Sequence, residues 1–168
     1  MKKVDYNEYF SEASSSLSKG AFLTVKNNNE LNTMTIGWAT IGIIWGKPVL
    51  MVMVRKSRYT YNLIENTGEF SVSFAFGDKM KKELNFCGTR SGRNYDKFEE
   101  CSLITVPGDK IDTPLIKNCD LHYECKIRFK QAMNKDNLVQ EFDNKFYGSG
   151  DYHTLYFGEI VNTFLEKN

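Results

Sequence analysis

The chain has 168 residues, with 22 Lys and Arg against 21 Asp and Glu, a formal net charge of +1, 41% hydrophobic and 14% aromatic residues. That composition supports one domain over residues 1–168 with a sizeable core and excludes a disordered chain, while a near-neutral balance with scattered lysines argues against nucleic acid. No apolar run is long enough to cross a bilayer and no apolar leader follows Met1, so the expectation is a soluble, cytoplasmic protein.

In chain order, Tyr6 to Leu17 reads as a short amphipathic helix ended by Gly20, and Ala21 to Val25 as a strand. After the turn Asn27-Asn28-Asn29, the stretch Asn32 to Ile44 is rich in Thr, Ile and Trp and is interrupted by Gly37 and Gly42. Glycines there signal either sheet curvature or a bulge; a bulge would expose backbone donors and acceptors along Asn32 to Ala39, which suits a flat heterocycle. Gly46-Lys47-Pro48 turns the chain into Val49 to Val54, an apolar β-branched run expected to be a strand buried on both faces.

Arg55-Lys56-Ser57-Arg58 then opens a helical segment from Tyr59 to Asn66. Strand, basic and hydroxyl turn, and helix together form an anion socket: Ser57 as cap, free N–H groups at the helix start, and charge from Arg55 and Arg58. The plainer reading is a capped surface helix with solvated arginines. Glu69 to Phe74 alternates as a half-exposed strand, and Lys79 to Phe86 reads as a helix stopping near Gly88. Thr89 to Lys97 is a polar loop that either closes over an anionic ligand or is merely solvated.

Pro107-Gly108-Asp109 marks a turn. Leu115 to Phe129 reads as a long strand with Leu121, Tyr123, Cys125, Ile127 and Phe129 on one face, followed by a polar excursion over Asn134 to Asp143. The last strand, Asp151 to Val161, opens with His153, which is either a hydrogen-bonded structural residue or a group that binds or reacts. Cys87, Cys101, Cys119 and Cys125 lie far apart with no C-x-x-C pair, so reduced thiols are expected. Strand parity sends His122 away from Cys119 and Cys125, and no metal is expected there. Several strands with few helices imply a mainly β protein, a closed or partly closed antiparallel barrel with helical decorations.

Four motifs in this order, Asn32-Thr33-Met34-Thr35-Ile36-Gly37-Trp38, Val54-Arg55-Lys56-Ser57-Arg58-Tyr59-Thr60, Phe86-Cys87-Gly88 with Ser91-Gly92-Arg93, and Asp151 through Glu159, resemble the flavin reductase-like family, nearest its flavoredoxin branch. The resemblance covers nearly the whole chain and implies an FMN-binding split β-barrel that forms a homodimer. It implies that Asn32, Thr33, Met34, Thr35, Ile36, Gly37, Trp38 and Ala39 line the isoalloxazine and ribityl chain. Ser57, Arg58 and Thr60 would hold the phosphate in the turn that includes Arg55 and Tyr59. Cys87, Gly88, Ser91 and Arg93 would lie beside the flavin, and His153 would stand at the face where NADH, NADPH or another electron donor docks, its charge changing near neutral pH. Many relatives carry Ser at Gly37, so a backbone contact would replace a side-chain one; many carry Ala at Cys87. The implied function is an FMN-dependent oxidoreductase passing electrons from a reduced donor through FMN to an acceptor. The alternative is a non-enzymatic FMN-binding electron carrier between protein partners. A heme- or F420-binding barrel is disfavoured because Ser57 and Arg58 suit a terminal phosphate and name no iron ligand.

Overall fold

The structure, a computed structural model, describes residues 1–166. After a two-residue strand β1 (Lys2–Lys3) and helix α1 (Phe10–Ser16), strands β2 (Ala21–Asn27) and β3 (Glu30–Ile36) form a hairpin over the Asn28 turn. A second hairpin joins β4 (Ala39–Ile44) to β5 (Lys47–Arg55). Its two turn residues, Trp45 and Gly46, both have positive φ (54° and 68°), the conformation whose twist matches flanking antiparallel strands. Helix α2 (Tyr59–Ile64) leads to β6 (Glu69–Phe74), then α3 (Lys81–Thr89) and α4 (Lys97–Glu100). A small ribbon of β7 (Thr105–Val106) and β8 (Leu115–Ile116) precedes the long strands β9 (Leu121–Ala132) and β10 (His153–Leu165), with α5 (Gln140–Phe146) between them.

The main sheet is antiparallel in the order β3-β2-β6-β9-β10-β5-β4, with β1 on the far end of β10. Its edge strands β3 and β4 are consecutive in the chain, joined only by Gly37 and Trp38. Laid flat, six inter-strand steps would part the edges by about 29 Å at about 4.8 Å each. Two linking residues span at most about 11 Å, so the sheet curls until its edges meet at one end. No ladder joins β3 to β4 among the described residues, and the result is a split barrel rather than a closed one. The seam at Gly37-Trp38 is where the candidate site lies.

Several local expectations are revised. The first helix is shorter than Tyr6 to Leu17, and the Asn32 to Ile44 stretch is two strands on opposite sheet edges, broken at Gly37 but continuous through Gly42. Val49 to Val54 is fully buried on one face, where Leu50, Val52 and Val54 enter the core; on the other, Val49 is buried but Met51 and Met53 stay half-buried. Conversely, β6 is buried on both faces. Its Ser71 hydroxyl donates to the Pro114 carbonyl at 2.6 Å, and Ser73 Oγ accepts from the Ile116 amide at 3.2 Å, so the 103–119 segment covers the face that alternation assigned to solvent. The Leu115 to Phe129 stretch divides at Asn118, where φ is positive, into β8 and β9.

The barrel interior is filled by Leu23, Leu50, Val52, Phe70, Val72, Tyr123 and Tyr156, with α1 and α2 closing against it. Each such side chain contributes about 1.5–3 kcal/mol on burial. A smaller cluster holds Phe22, Leu84, Cys87, Leu103 and Ile116 together and fixes α3 on the outside of β2 and β3.

Candidate cofactor site

At the seam, a trough of about 170 Å³ runs along the end of β3 and the Gly37-Trp38 link, faced by Met53 and Arg55 of β5, by Arg58, and by His153 at the start of β10. It adjoins a recess of about 60 Å³ that shares Met34 and Arg58 with it. Asn32, the Ser57 to Thr60 turn, Cys87-Gly88 at the end of α3, and the Arg90 to Gly92 loop form the recess, with Lys97 in its wall. Fourteen of the predicted residues, drawn from three distant stretches, therefore border one cleft: Asn32, Met34, Thr35, Ile36, Gly37, Trp38, Arg55, Ser57, Arg58, Tyr59, Thr60, Cys87, Gly88 and Ser91, joined from a fourth by His153.

Three predicted residues do not border the cleft. Thr33 points into the core, its hydroxyl bonded to the Leu23 carbonyl and paired with Thr24; Ala39 opens β4 beyond the seam; and Arg93 lies on the far side of the loop. Arg93 donates to the Ser57 carbonyl at 2.9 Å and so braces the turn.

Within the turn, the three arginine and serine roles separate. Arg55 donates to the backbone carbonyls of Asp151 (2.6 Å) and Phe146 (2.9 Å) and lies over the Tyr147 ring, so its guanidinium ties the 146–151 segment to β5 rather than serving a phosphate. Ser57 does not cap α2. Its hydroxyl and amide both donate to the Asp151 carboxylate, at 2.6 and 3.2 Å. Helix α2 has only six residues, so its end adds little to an anion site. Arg58, in contrast, makes no side-chain hydrogen bond or ion pair among the described residues and borders both trough and recess. Asn32 is fixed by donating to the Thr60 hydroxyl at 2.8 Å.

Lys97 was not legible as a site residue. It is buried, and its ammonium donates to the carbonyls of Thr33 (2.9 Å) and Cys87 (2.8 Å), leaving one N–H unspent in the wall of the recess. Burial lowers its pKa, and the neighbouring Arg58 adds to the shift. The available signal was Asp96, which accepts from the Phe98 and Glu99 amides and caps α4, fixing Lys97 at the first helical position. Gly92 was also missed: a Cβ there would meet Asn32 Oδ1 at 2.3 Å and the Tyr59 ring at 2.7 Å, so only glycine lets the loop lie this close. Met53 and Arg90 complete the lining.

His153 is nearly buried, with Nδ1 held by the Tyr147 hydroxyl at 2.8 Å and its ring 5.2 Å from that of Trp38. Burial first, and then the positive charge of Arg55, push its pKa down to about 4. The imidazole is thus neutral at physiological pH, against the expectation that its charge changes there. Cys87 is a buried neutral thiol, pushed up to about 12 chiefly by burial, and all four cysteines are free.

The seam of this split barrel thus carries an open trough beside a recess lined by cations. The chain belongs to the flavin reductase like domain family, whose model matches residues 16–168. An uncharacterized protein of Archaeoglobus fulgidus is 32% identical over 141 residues, covering 84% of this chain and 69% of that one. The structure of a flavoredoxin from Methanosarcina acetivorans is 25% identical, with a TM-score of 0.68 over 99% of this chain and 76% of its own. An FMN-binding protein from Thermus thermophilus, 22% identical with a TM-score of 0.68, covers 88% of this chain and 70% of its own and shares the fold. No helix among the described residues is long and apolar enough to cross a membrane.

Proposed function

We propose that this chain binds FMN in the seam cleft and works as an oxidoreductase, taking electrons from NADH or NADPH and passing them to an acceptor. The observation that carries the reading is Arg58: an arginine whose side chain makes no hydrogen bond among the described residues, bordering both the open trough and a recess whose wall holds a second cation, Lys97. A ring with a phosphate-terminated tail fits that pair of cavities, and the family membership supports a flavin as the ring.

When bound, FMN supplies an acceptor for two electrons and a relay to further one- or two-electron acceptors. This chain's residues would bind and orient it. Arg58, Lys97, Thr60 and Ser91 would hold the phosphate; the open edge of β3 from Met34 to Ile36, with Gly37, would offer backbone groups to the ring; Trp38 and Met53 would exclude water from its flank. Tyr147 occupies Nδ1 of His153, so Nε2 is the ring nitrogen left to meet a donor's carboxamide. The trough, at about 170 Å³, is smaller than ordinary small-molecule sites of about 300–1,000 Å³, so one chain covers only part of a flavin. A second copy would complete it. Ile43 (58% exposed), Trp45 (61%) and Phe129 (44%) form an apolar patch on the β4–β5 side that a homodimer would bury.

The test is anaerobic stopped flow on FMN-loaded protein. Bleaching of the flavin by NADH or NADPH, faster than for free FMN, is the expected result. No bleaching with either nucleotide overturns the donor assignment and leaves a protein that exchanges electrons only with protein partners.

A further inference from the structure

The carboxylate of Asp151 has no part in the flavin reading, yet it sits on the phosphate turn. Antiparallel pairing sets His153 opposite Arg55, and carrying that register past the end of the ladder brings Asp151 opposite Ser57. There Asp151 accepts from both donors that Ser57 has, the hydroxyl at 2.6 Å and the amide at 3.2 Å. Ser57 lines the recess beside Arg58, Thr60 and Ser91. An internal anion therefore holds two donors at the rim of the compartment read as a phosphate site.

We propose that Asp151 is an internal competitor for the ligand's phosphate: a phosphate-bearing ligand releases the 146–152 strap from Ser57, and the dephosphorylated form of the same ligand leaves it latched. The inference rests on the proposed flavin site for the ligand's position. A hydroxyl has one proton to donate, so Ser57 Oγ serves Asp151 or a phosphate oxygen and not both. Charge sharpens the exchange, because a phosphate drawn to Arg58 and Lys97 would stand close to a carboxylate of its own sign. Asp151 is only half-buried and can return to water when displaced, while Ser57 trades one anionic acceptor for another.

The strap carries this exchange to the trough. Phe146 sets its ring edge-on to Trp38, with centroids 5.2 Å apart, and the Tyr147 hydroxyl meets His153 Nδ1 at 2.8 Å; Trp38 and His153 both line the trough. Between these anchors and Asp151 lies Gly148-Ser149-Gly150, where Gly150 has φ 74° with open space around it, so the chain can re-angle without a clash. Arg55 keeps hold of the Phe146 and Asp151 carbonyls, at 2.9 and 2.6 Å, so losing the carboxylate contact loosens the strap without detaching it. Phosphate occupancy of the recess is thereby read at the wall where an electron donor would dock.

Hydrogen exchange of the full chain, alone and saturated with FMN, riboflavin or inorganic phosphate, tests this beside dissociation constants for the same three on the parent, Asp151→Ala and Asp151→Asn. FMN and inorganic phosphate are expected to speed exchange in peptides covering 146–152, and riboflavin to leave it unchanged. Asp151→Ala should bind FMN and inorganic phosphate about three- to ten-fold more tightly, the range for one exposed charge-assisted hydrogen bond made available to the ligand, with riboflavin unchanged within two-fold. Asp151→Asn, which keeps an acceptor and loses the charge, should fall between. In Asp151→Ala those peptides should exchange fast from the start and respond to none of the three. Tightening absent from Asp151→Ala overturns the proposal, as does a strap that responds equally to FMN and riboflavin or fails to respond to bound FMN. Should Asp151→Ala not fold, Asp151→Asn and the exchange pattern of the parent decide by the same criteria. Should neither flavin bind while inorganic phosphate binds more tightly to Asp151→Ala and frees the strap in the parent, the flavin reading falls and the latch remains; binding of none of the three to either chain overturns both.

Discussion

Replacing Arg58 by alanine separates a ligand-binding arginine from its structural neighbour. Arg58 makes no side-chain hydrogen bond or ion pair among the described residues, so its loss should change stability by no more than about 0.5 kcal/mol. A charge-assisted hydrogen bond to a phosphate is worth about 1.5–3 kcal/mol. Because the side chain is exposed, the low end applies, and the FMN dissociation constant should rise about ten-fold, with about 150-fold as the ceiling. Riboflavin has no phosphate and should bind mutant and parent alike. The assay is quenching of flavin fluorescence, run for both ligands beside a thermal melt. An equal loss for FMN and riboflavin would refute the assignment, because it would mean that Arg58 supports the trough and not the phosphate recess.

Arg55→Ala should behave oppositely: losing the bonds to the Phe146 and Asp151 carbonyls and the contact with Tyr147 costs about 2–4 kcal/mol, lowers Tm by about 5–15 °C, and weakens FMN and riboflavin together. His122 and His153, both buried, have pKa values pushed down to about 4 in the folded chain, while unfolded histidine titrates near about 6.5. Between those values the unfolded state binds more protons, so stability is fully present above about pH 6.5 and is lost as pH falls towards 4; thermal melts across that window should show Tm dropping, and a flat Tm would contradict the burial of both rings. For the same reason the rate of flavin reduction should not vary with His153 ionisation between about pH 6 and 8, and a stopped-flow profile with an inflection near 6.5 would show that the imidazole is solvated. Light scattering should report a homodimer for the parent chain and a shift to monomer in Trp45→Asp, whose parent side chain is 61% exposed in the single chain.

The fold class was legible because β-branched runs, glycine-marked turns and sparse helical periodicity all agree, and the lining of the candidate site was legible where its residues sit on local motifs: the β3 stretch, the Ser57-Arg58-Tyr59-Thr60 turn, the end of α3. What sequence order hid was long-range pairing. Ser71 and Ser73 alternate as if facing water, but a distant segment covers them and takes their hydrogen bonds. Ser57 and Arg55 carry the residue types of a phosphate socket, yet Asp151 and Phe146, more than 90 positions away, already occupy their donors. The neutral state of His153 depends on its burial and on the charge of Arg55, neither of which its own strand reveals. Lys97 reads as one more surface lysine until α4 is docked, because its inward direction is set by where α3 and β3 place their carbonyls.

The claim that the seam cleft is the flavin site is tested most directly by hydrogen exchange with and without FMN. Strand β3 is a sheet edge, so its outward amides and those of Gly37 and Trp38 are not locked in a ladder and exchange readily in the free chain. Added FMN should slow exchange in peptides covering 32–39, 57–60 and 87–97 while leaving the β7–β8 ribbon unchanged. Protection confined to other segments, or none at saturating FMN, would contradict the assignment of the cleft.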